Sequence, residues 1–388
     1  MKKERVKEKI LKEKADSSFS LYLHIPFCAK ICPYCDFTKF ARRNIPEDEY
    51  VLLLEKELAL YAEDDRFKNK KVDTIFWGGG TPSLFAPNSF AQLQNQAKNV
   101  FDFNDDSIEI TIESNPQDLT AEYTDLLLNA GVNRVSIGAQ SVNSKALKFL
   151  GREHSREDVK AAVVNCQNIG IKNISLDLIF ALPDQSEQAL LEDLEFFTSL
   201  NVQHISAYNL TIEKGTPFFQ AVSDNVFTPL VDEKARALYL QVISYLKEKK
   251  YQQYEVSNFS RDSFRCKHNT AYWKRKNYLG LGVGAHSFSR FDVEQRWANT
   301  SSLNEYKKKL SSDLLPVAWC EELSADEIRS EEIMLGIRMC EGLKVEDLNK
   351  ESLQNVMMTD FVEQIGDKVV LTESGFACAD TVGSILMK

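Results

Sequence analysis

Short apolar runs alternate with longer stretches of helical spacing through the first 211 residues of the chain. The apolar runs are SLYLHIPF, TIFWGGG, IEITIESNP, RVSIGAQS, NISLDLIFALP and HISAYNLT, and each is close to the length of a strand. Between them lie stretches such as EDEYVLLLEKELALYAED and SREDVKAAVVNCQNIG, of which the second ends at Gly170. This alternation predicts an α/β fold of six parallel strands joined by right-handed helical crossovers.

The pattern changes after the sixth run. The segment SADEIRSEEIMLGIRM has helical spacing with Ser324 as its cap, and KVVLTESGFACADTVGSILMK is typical of a strand, a turn and a helix. Together they predict a smaller α+β domain of winged-helix type. We therefore divide the chain into a basic leader at 1–17, a core barrel at 18–230, an extension at 231–290 and this C-terminal domain at 291–388.

Charge and composition narrow the function. The 388 residues include 57 acidic and 47 basic side chains, a net charge of −10, which argues against a nucleic-acid partner. The leader lacks the apolar core of a secretory signal, and no apolar run approaches the ~18 residues of a membrane span. These features predict a cytoplasmic protein with reduced cysteines, so clustered cysteines suggest a metal before a disulfide.

Three cysteines lie within eight residues, at Cys28, Cys32 and Cys35. A zinc site would need a fourth ligand, such as His24 or a remote residue. A redox pair would use Cys32 and Cys35 and leave Cys28 over, and a buried structural trio would not explain the spacing. The fourth explanation is a 4Fe-4S cluster held by three thiolates, with one iron open to a ligand.

The last arrangement resembles the radical S-adenosylmethionine superfamily, whose loop reads C-x3-C-x-aromatic-C with Tyr34 in the aromatic slot. The resemblance implies a partial (β/α)6 barrel in which the open iron binds the amino and carboxylate groups of S-adenosylmethionine. Electron transfer from the reduced cluster then breaks the sulfonium bond and yields a deoxyadenosyl radical. It also implies a low-potential electron donor such as flavodoxin or ferredoxin.

Polar and glycine residues at the predicted strand ends fit the same cofactor, because ligands of such folds bind at the carboxyl ends of the strands. The GGGTPS loop follows the second strand, and its glycines allow close approach of the backbone to a ligand. Tyr22, Arg152 and Asp177 also resemble S-adenosylmethionine contacts in the branch of the superfamily that contains the oxygen-independent coproporphyrinogen III oxidases and their relatives. Motif and resemblance together predict S-adenosylmethionine contacts at Tyr22, Tyr34, Gly79, Gly80, Thr81, Glu113, Gln140, Arg152 and Asp177.

Two features separate the chain from those oxidases. The oxidases carry a fourth cysteine two residues after the third, where this chain has Phe37. The segment HNTAYW resembles the H-N-x-x-Y-W motif of the HemW-type heme chaperones. Imidazole suits heme iron, and aromatic faces suit a porphyrin, so His268, Tyr272 and Trp273 are candidate heme-binding residues. Residues 267 and 274–276 are basic and could pair the heme propionates, and the alternative is a turn with buried aromatics.

The resemblance implies a chaperone that binds heme and delivers it to acceptors such as membrane cytochromes. Peripheral contact with the membrane during delivery and a homodimer are both compatible with it. The alternative function is oxidative decarboxylation of coproporphyrinogen III, and the missing fourth cysteine tells against that enzyme. The third possible function is that of a structural protein whose cysteines bind a stabilising zinc ion.

Overall fold

The computed structural model describes residues 17–103 and 108–388, so the predicted leader lies almost entirely outside the described residues. Six long strands carry the apolar runs predicted from the sequence. Their bounds are Ser18–Ile25 (β1), Lys71–Gly79 (β4), Glu109–Ser114 (β6), Arg134–Gln140 (β7), Asn173–Phe180 (β8) and His204–Asn209 (β9).

These six strands form one parallel sheet in the order β9, β8, β7, β6, β4 and β1. Within the described residues β1 and β9 do not pair with each other, because each has another strand on its far side. The sheet is therefore an open barrel, and the predicted partial (β/α)6 architecture is confirmed.

Helices connect the strands as the helical spacing predicts. Ser155 caps the helix at Arg156–Asn168 and Ser324 caps the helix at Ala325–Gly336, each in a reciprocal capping box. The helices up to the end of the barrel are Glu47–Ala62 (α1), Pro87–Val100 (α2), Ala121–Asn129 (α3), Ser144–Phe149 (α4), Arg156–Asn168 (α5), Glu187–Ser199 (α6), Pro217–Ser223 (α7) and Asp232–Glu248 (α8).

The barrel strands alternate between two faces. In β1 the odd positions Phe19, Leu21 and Leu23 belong to the main hydrophobic core, and the even positions carry Tyr22 and His24. Strand register places Tyr22 beside Phe76 of β4, and the same alternation continues around the barrel. The apolar side chains thus pack in the core, and a row of polar and aromatic side chains lines the inner face.

Additional strands extend the sheet at both edges. On the β9 side lie Asn258–Ser260 (β11) and Gln252–Gln253 (β10). On the β1 side, Tyr278–Leu281 (β12) pairs parallel to β1, and three antiparallel strands follow, His286–Ser289 (β13), Gln295–Asn299 (β14) and Val317–Glu322 (β15). The expected boundary at residue 291 therefore falls between two strands that pair in one sheet.

The smaller C-terminal sheet begins at residue 343 instead. It consists of Leu343–Lys344 (β16), Val362–Ile365 (β17) and Lys368–Leu371 (β18), in the order β16, β18, β17. The remaining α-helices are Lys267–Trp273 (α9), Leu303–Ser311 (α10), Ala325–Gly336 (α11), Lys350–Met357 (α12), Glu373–Phe376 (α13) and Ala379–Leu386 (α14). The short strands are Phe27–Cys28 (β2), Phe40–Ala41 (β3) and Asp102–Phe103 (β5). None of the helices among the described residues is both long and apolar enough to cross a membrane.

Candidate functional site

A cavity of about 510 Å³ opens at the carboxyl ends of the barrel strands. Its walls include the three clustered cysteines, Cys28, Cys32 and Cys35. Eight of the nine residues predicted to contact S-adenosylmethionine also line it, namely Tyr34, Gly79, Gly80, Thr81, Glu113, Gln140, Arg152 and Asp177. The exception is Tyr22, which does not line the cavity and lies against Gly78, where an added Cβ would be 2.9 Å from its ring. The fold thus brings one sequence-predicted set of residues to one place.

The cysteine loop is closed at its base by backbone pairing. Strand β2, which ends at Cys28, pairs with β3, and the backbone N–H of Arg42 donates to the carbonyl of Cys28 at 3.1 Å. Within the loop, the N–H of Cys35 donates to the carbonyl of Cys32 at 3.2 Å, and the ammonium of Lys39 donates to the carbonyl of Cys35. These bonds define the path of the loop.

The loop also rests on the ends of other elements. Pro33 packs against Gly151, where an added Cβ would lie 2.8 Å from the proline Cδ. Arg152, which follows Gly151, contacts both the cysteine loop and the barrel. Its guanidinium lies 3.6 Å from Cys32 Sγ and donates to Asn115 Oδ1 at 2.7 Å and to the carbonyl of Gly138 at 2.8 Å. Arg152 therefore presents positive charge to a thiolate at this position.

The glycine run fits closely between β1 and the cavity. Gly79 has φ +110°, and an added Cβ would lie 2.5 Å from the ring of His24. At Gly80 an added Cβ would lie 2.7 Å from the carbonyl oxygen of Phe27. Only glycine fits these two positions, and the backbone consequently forms the cavity wall.

Two acidic residues face the cavity from the barrel interior. Burial raises the pKa of Asp177 to about 6, although Ser136 donates to its carboxylate at 3.1 Å. Burial and the charge of Asp177 raise the pKa of Glu113 to about 8, although the N–H of Gly79 donates to it at 3.1 Å. Both carboxylates therefore gain from a cationic or hydroxyl-bearing partner.

Gln140 ends strand β7 in the left-handed region, with φ +64°. Its Oε1 atom is buried and has no hydrogen-bond partner. The cavity wall thus combines an orphaned amide oxygen with two carboxylates, and these acceptors suit a ligand that has amino and hydroxyl groups. S-adenosylmethionine has both, so the residues present fit this cofactor.

The zinc explanation of the cysteines loses its nearest fourth ligand. Nε2 of His24 lies 2.8 Å from the carbonyl of Thr38, and Nδ1 lies 2.9 Å from the hydroxyl of Tyr22. Among residues 17–103 and 108–388, no three His, Cys, Asp or Glu side chains are grouped as ligands of a single ion. A four-iron cluster distributes its thiolate ligands over several irons, so the thiols need not converge on one point.

The HNTAYW segment lies elsewhere. It forms helix α9, and none of the three candidate heme-binding residues lines the cavity. His268 is fully buried, and its ring nitrogens lie 2.7 Å from Thr74 Oγ1 and 2.7 Å from the hydroxyl of Tyr272. Tyr272 and Trp273 are half-buried. Heme ligation by His268 stays a prediction, and it requires one of these two hydrogen bonds to break, because iron binds a single ring nitrogen.

The basic residues that flank HNTAYW do not form a uniform rim. Lys267, Lys274 and Lys276 are exposed, whereas Arg275 is 5% exposed. The Arg275 guanidinium pairs with Glu294 at 2.8 Å and Glu331 at 3.0 Å. The expectation that residue 275 could pair a heme propionate is therefore corrected, because its charge is already compensated inside the fold.

Several polar residues of the cavity wall were not predicted from the sequence, among them Ser136, Asn115 and Tyr208. Ser136 supports Asp177, and Asn115 supports Arg152. The signal that could have identified Ser136 is the period-two alternation of its strand, since it shares a face with Gly138 and Gln140.

Several known proteins are similar to this chain. A family model described as the radical SAM superfamily matches residues 22–197. The chain is 34% identical over 324 residues to the heme chaperone HemW of Bacillus subtilis, with 84% of each chain covered. It is 41% identical over 273 residues to the heme chaperone HemW of Haemophilus influenzae, with 69% of each chain covered.

Among solved structures, the fold is similar to coproporphyrinogen III oxidase (HemN) of Escherichia coli. The TM-score is 0.82 at 22% identity, with 96% of this chain and 91% of that chain covered. The structural likeness extends over the barrel and the C-terminal part alike. Since relatives more than 30% identical match over most of both chains, the chain belongs to the HemW family within the radical SAM superfamily.

Proposed function

We propose that the cavity binds a 4Fe-4S cluster and S-adenosylmethionine. Cys28, Cys32 and Cys35 hold the cluster, and Arg152 supplies positive charge beside Cys32. When bound, the cluster supplies an electron to S-adenosylmethionine. The observation that carries this proposal is that one cavity collects the three cysteines and eight of the predicted contacts.

The chain's own residues provide the recognition. When ionised, Glu113 accepts a hydrogen bond from the amino group of S-adenosylmethionine, which keeps its N–H donors when its lone pair binds iron. Asp177 accepts from ribose hydroxyls, and Ser136 orients it. Gln140 directs its unpartnered oxygen at the ligand, and Tyr34 packs near the adenine.

The proposed role of the whole protein is heme transfer. The relatives matched over most of this chain are named heme chaperones. We propose that this chain likewise binds heme and delivers it to acceptor proteins such as membrane cytochromes. The three-cysteine loop, with Phe37 in place of the fourth cysteine, supports this role over coproporphyrinogen oxidation.

The proposed partners follow from these roles. Flavodoxin or ferredoxin serves as electron donor to the cluster, and Phe37 of the cluster loop is 61% exposed at the cavity mouth. The proposed location is the cytoplasm, with peripheral membrane contact during delivery. A homodimer is part of the proposal, and size-exclusion chromatography with light scattering tests it.

A single preparation tests the function. Wild-type protein is reconstituted anaerobically with iron and sulfide, titrated with heme while the Soret band is followed, and assayed for conversion of coproporphyrinogen III. Stoichiometric heme binding without protoporphyrinogen is the expected result. Protoporphyrinogen formation without tight heme binding would replace the chaperone with an oxidase. Transfer is then tested by mixing the heme-loaded protein with an apo-cytochrome and separating the two.

A further inference from the structure

We propose that the HNTAYW helix is the floor of the barrel and that His268 is a positioning residue, which holds Phe76 and Tyr22 beneath the S-adenosylmethionine pocket. This inference rests on the proposed S-adenosylmethionine site. It gives HNTAYW a role at the cofactor pocket in place of the predicted role in heme binding.

Helix α9 lies at the amino ends of the barrel strands, opposite the cavity. The carboxylate of Glu109, the first residue of β6, accepts from the backbone N–H of Lys267 and from that of His268, at 3.2 and 3.1 Å. Thr74, near the start of β4, bonds to the His268 ring. The helix therefore closes the end of the barrel that the cysteine loop leaves uncovered.

An aromatic layer separates this helix from the cavity. The ring of His268 stacks on Phe76 with centroids 4.9 Å apart and an interplanar angle of 29°. Phe76 in turn stacks on Tyr22 at 6.1 Å. A Cβ added to Gly78 would lie 2.9 Å from each of these two rings and 3.1 Å from Glu113 Oε2. The layer thus directly supports the glycine run and a carboxylate of the pocket.

The same layer is linked to the cysteine loop. The carbonyl of Thr38 can only accept, so Nε2 of His24 carries the proton and donates to it. Nδ1 is then the acceptor for the hydroxyl of Tyr22. Thr38 follows Cys35 by three residues, and the chain of contacts from His268 to Thr38 is therefore continuous through Phe76, Tyr22 and His24.

His268 is well held for this role. Its two hydrogen-bond partners, Thr74 and Tyr272, are hydroxyls that can each donate or accept, so either neutral tautomer is satisfied. Burial lowers the pKa of His268 to about 3. The imidazole is consequently a neutral, fixed ring throughout the physiological range of pH.

His204 provides a matched control. It is also buried on the inner face of the barrel, and its ring nitrogens lie 2.8 Å from Ser175 Oγ and 2.8 Å from the hydroxyl of Tyr254. It has no ring contact with Phe76 or Tyr22 among the stacked pairs of the described residues. Replacing either histidine by alanine removes the same group from a similar environment, and only His268 touches the aromatic layer.

The experiment uses reconstituted wild type, His268→Ala and His204→Ala. We measure iron content, the dissociation constant for S-adenosylmethionine, the change in the EPR spectrum of the reduced cluster when S-adenosylmethionine is added, and the Soret band with heme. In His268→Ala we expect about tenfold weaker S-adenosylmethionine binding and a Soret band like that of the wild type. In His204→Ala we expect wild-type affinity for S-adenosylmethionine, even if its melting temperature falls as far as that of His268→Ala.

A shifted or lost Soret band in His268→Ala, with wild-type affinity for S-adenosylmethionine, would overturn the inference and make His268 a heme ligand. If His268→Ala does not fold, Phe76→Leu carries the test, and wild-type affinity in that variant would overturn the inference equally. A wild type that binds no S-adenosylmethionine would instead refute the proposed cofactor site. The failure of the inference and that of the proposed function are thus distinguished by the wild-type measurement.

Discussion

Burial and the nearby charge of Asp177 together raise the pKa of the Glu113 carboxyl to about 8. Below pH 8 Glu113 is therefore largely protonated, and it must lose that proton before its carboxylate can accept from the amino group of S-adenosylmethionine. We expect S-adenosylmethionine affinity to rise from pH 7 to pH 8.5 in the cluster-loaded protein. In Glu113→Gln we expect a flat profile and about ten- to hundredfold weaker binding at pH 8.5.

Isothermal titration at each pH measures both effects. Glu213 is the control, because it lines the rim of the same cavity and is exposed, and Glu213→Gln removes an equal charge. That variant should retain the wild-type slope. A Glu113→Gln protein whose affinity still rises with pH would show that another group titrates on binding.

The second prediction concerns Gly79. In Gly79→Ala the new methyl group meets the His24 ring at 2.5 Å, and the backbone there has φ +110°. Gly170 has φ +95° with nothing within 4 Å of an added Cβ, so Gly170→Ala carries the backbone strain without the clash. We expect about 1–2 kcal/mol of destabilisation in Gly170→Ala, from the left-handed backbone alone. In urea unfolding, Gly79→Ala should lose more free energy of unfolding than Gly170→Ala, and it should also lose S-adenosylmethionine binding. Equal losses of unfolding free energy in the two variants would refute the close fit at Gly79.

The third prediction concerns the cluster. Cys28→Ala, Cys32→Ala and Cys35→Ala should each retain little iron and acid-labile sulfide after anaerobic reconstitution, because a four-iron cluster with one open iron has only three protein ligands to lose. Cys320→Ala is the control, since that thiol is exposed on β15, outside the cluster loop. Full 4Fe-4S absorbance and S-adenosylmethionine binding in all three loop variants would refute the assignment.

The barrel could be predicted because its information is local. Each strand is a compact apolar run, and the helices between them have caps such as Ser155 that the sequence displays. Cavity residues at strand ends, such as Glu113 and Gln140, followed from the same register, since parallel strands end at one side of the sheet, whereas Tyr34 and Arg152 came from the family resemblance. Tyr22 is the exception, because one strand position decides whether a side chain reaches the cavity or lies beneath it.

The rest depended on contacts between distant parts of the chain. His268 is separated from Thr74 by 194 residues, and helix α9 has only seven residues, too few for a periodicity to reveal its buried face. The continuation of the main sheet through β14 and β15 was missed for a similar reason. Short antiparallel strands carry weak patterns, and pairing rather than composition assigns them to a sheet.

The fourth prediction uses a buried carboxylate far from the cavity. Glu57 of α1 accepts from the N–H of Gly282 at 2.8 Å and from Asn299 Nδ2 at 2.6 Å, and burial raises its pKa to about 7. A carboxyl group whose pKa is raised by folding stabilises the fold fully at pH values below its pKa in the unfolded chain, near 4.5. This contribution, at most about 3 kcal/mol, is lost as the pH rises to 7. The glutamine side chain of Glu57→Gln stays neutral, so the free energy of unfolding of this variant should rise relative to that of the wild type between pH 5 and pH 8. Urea unfolding of both proteins, with Glu63→Gln as an exposed control at the C-terminal cap of the same helix, measures the difference. A difference that does not change with pH would mean that Glu57 is ionised in the folded protein throughout this range, held so by the hydrogen bonds that join α1 to the segment after β12 and to β14.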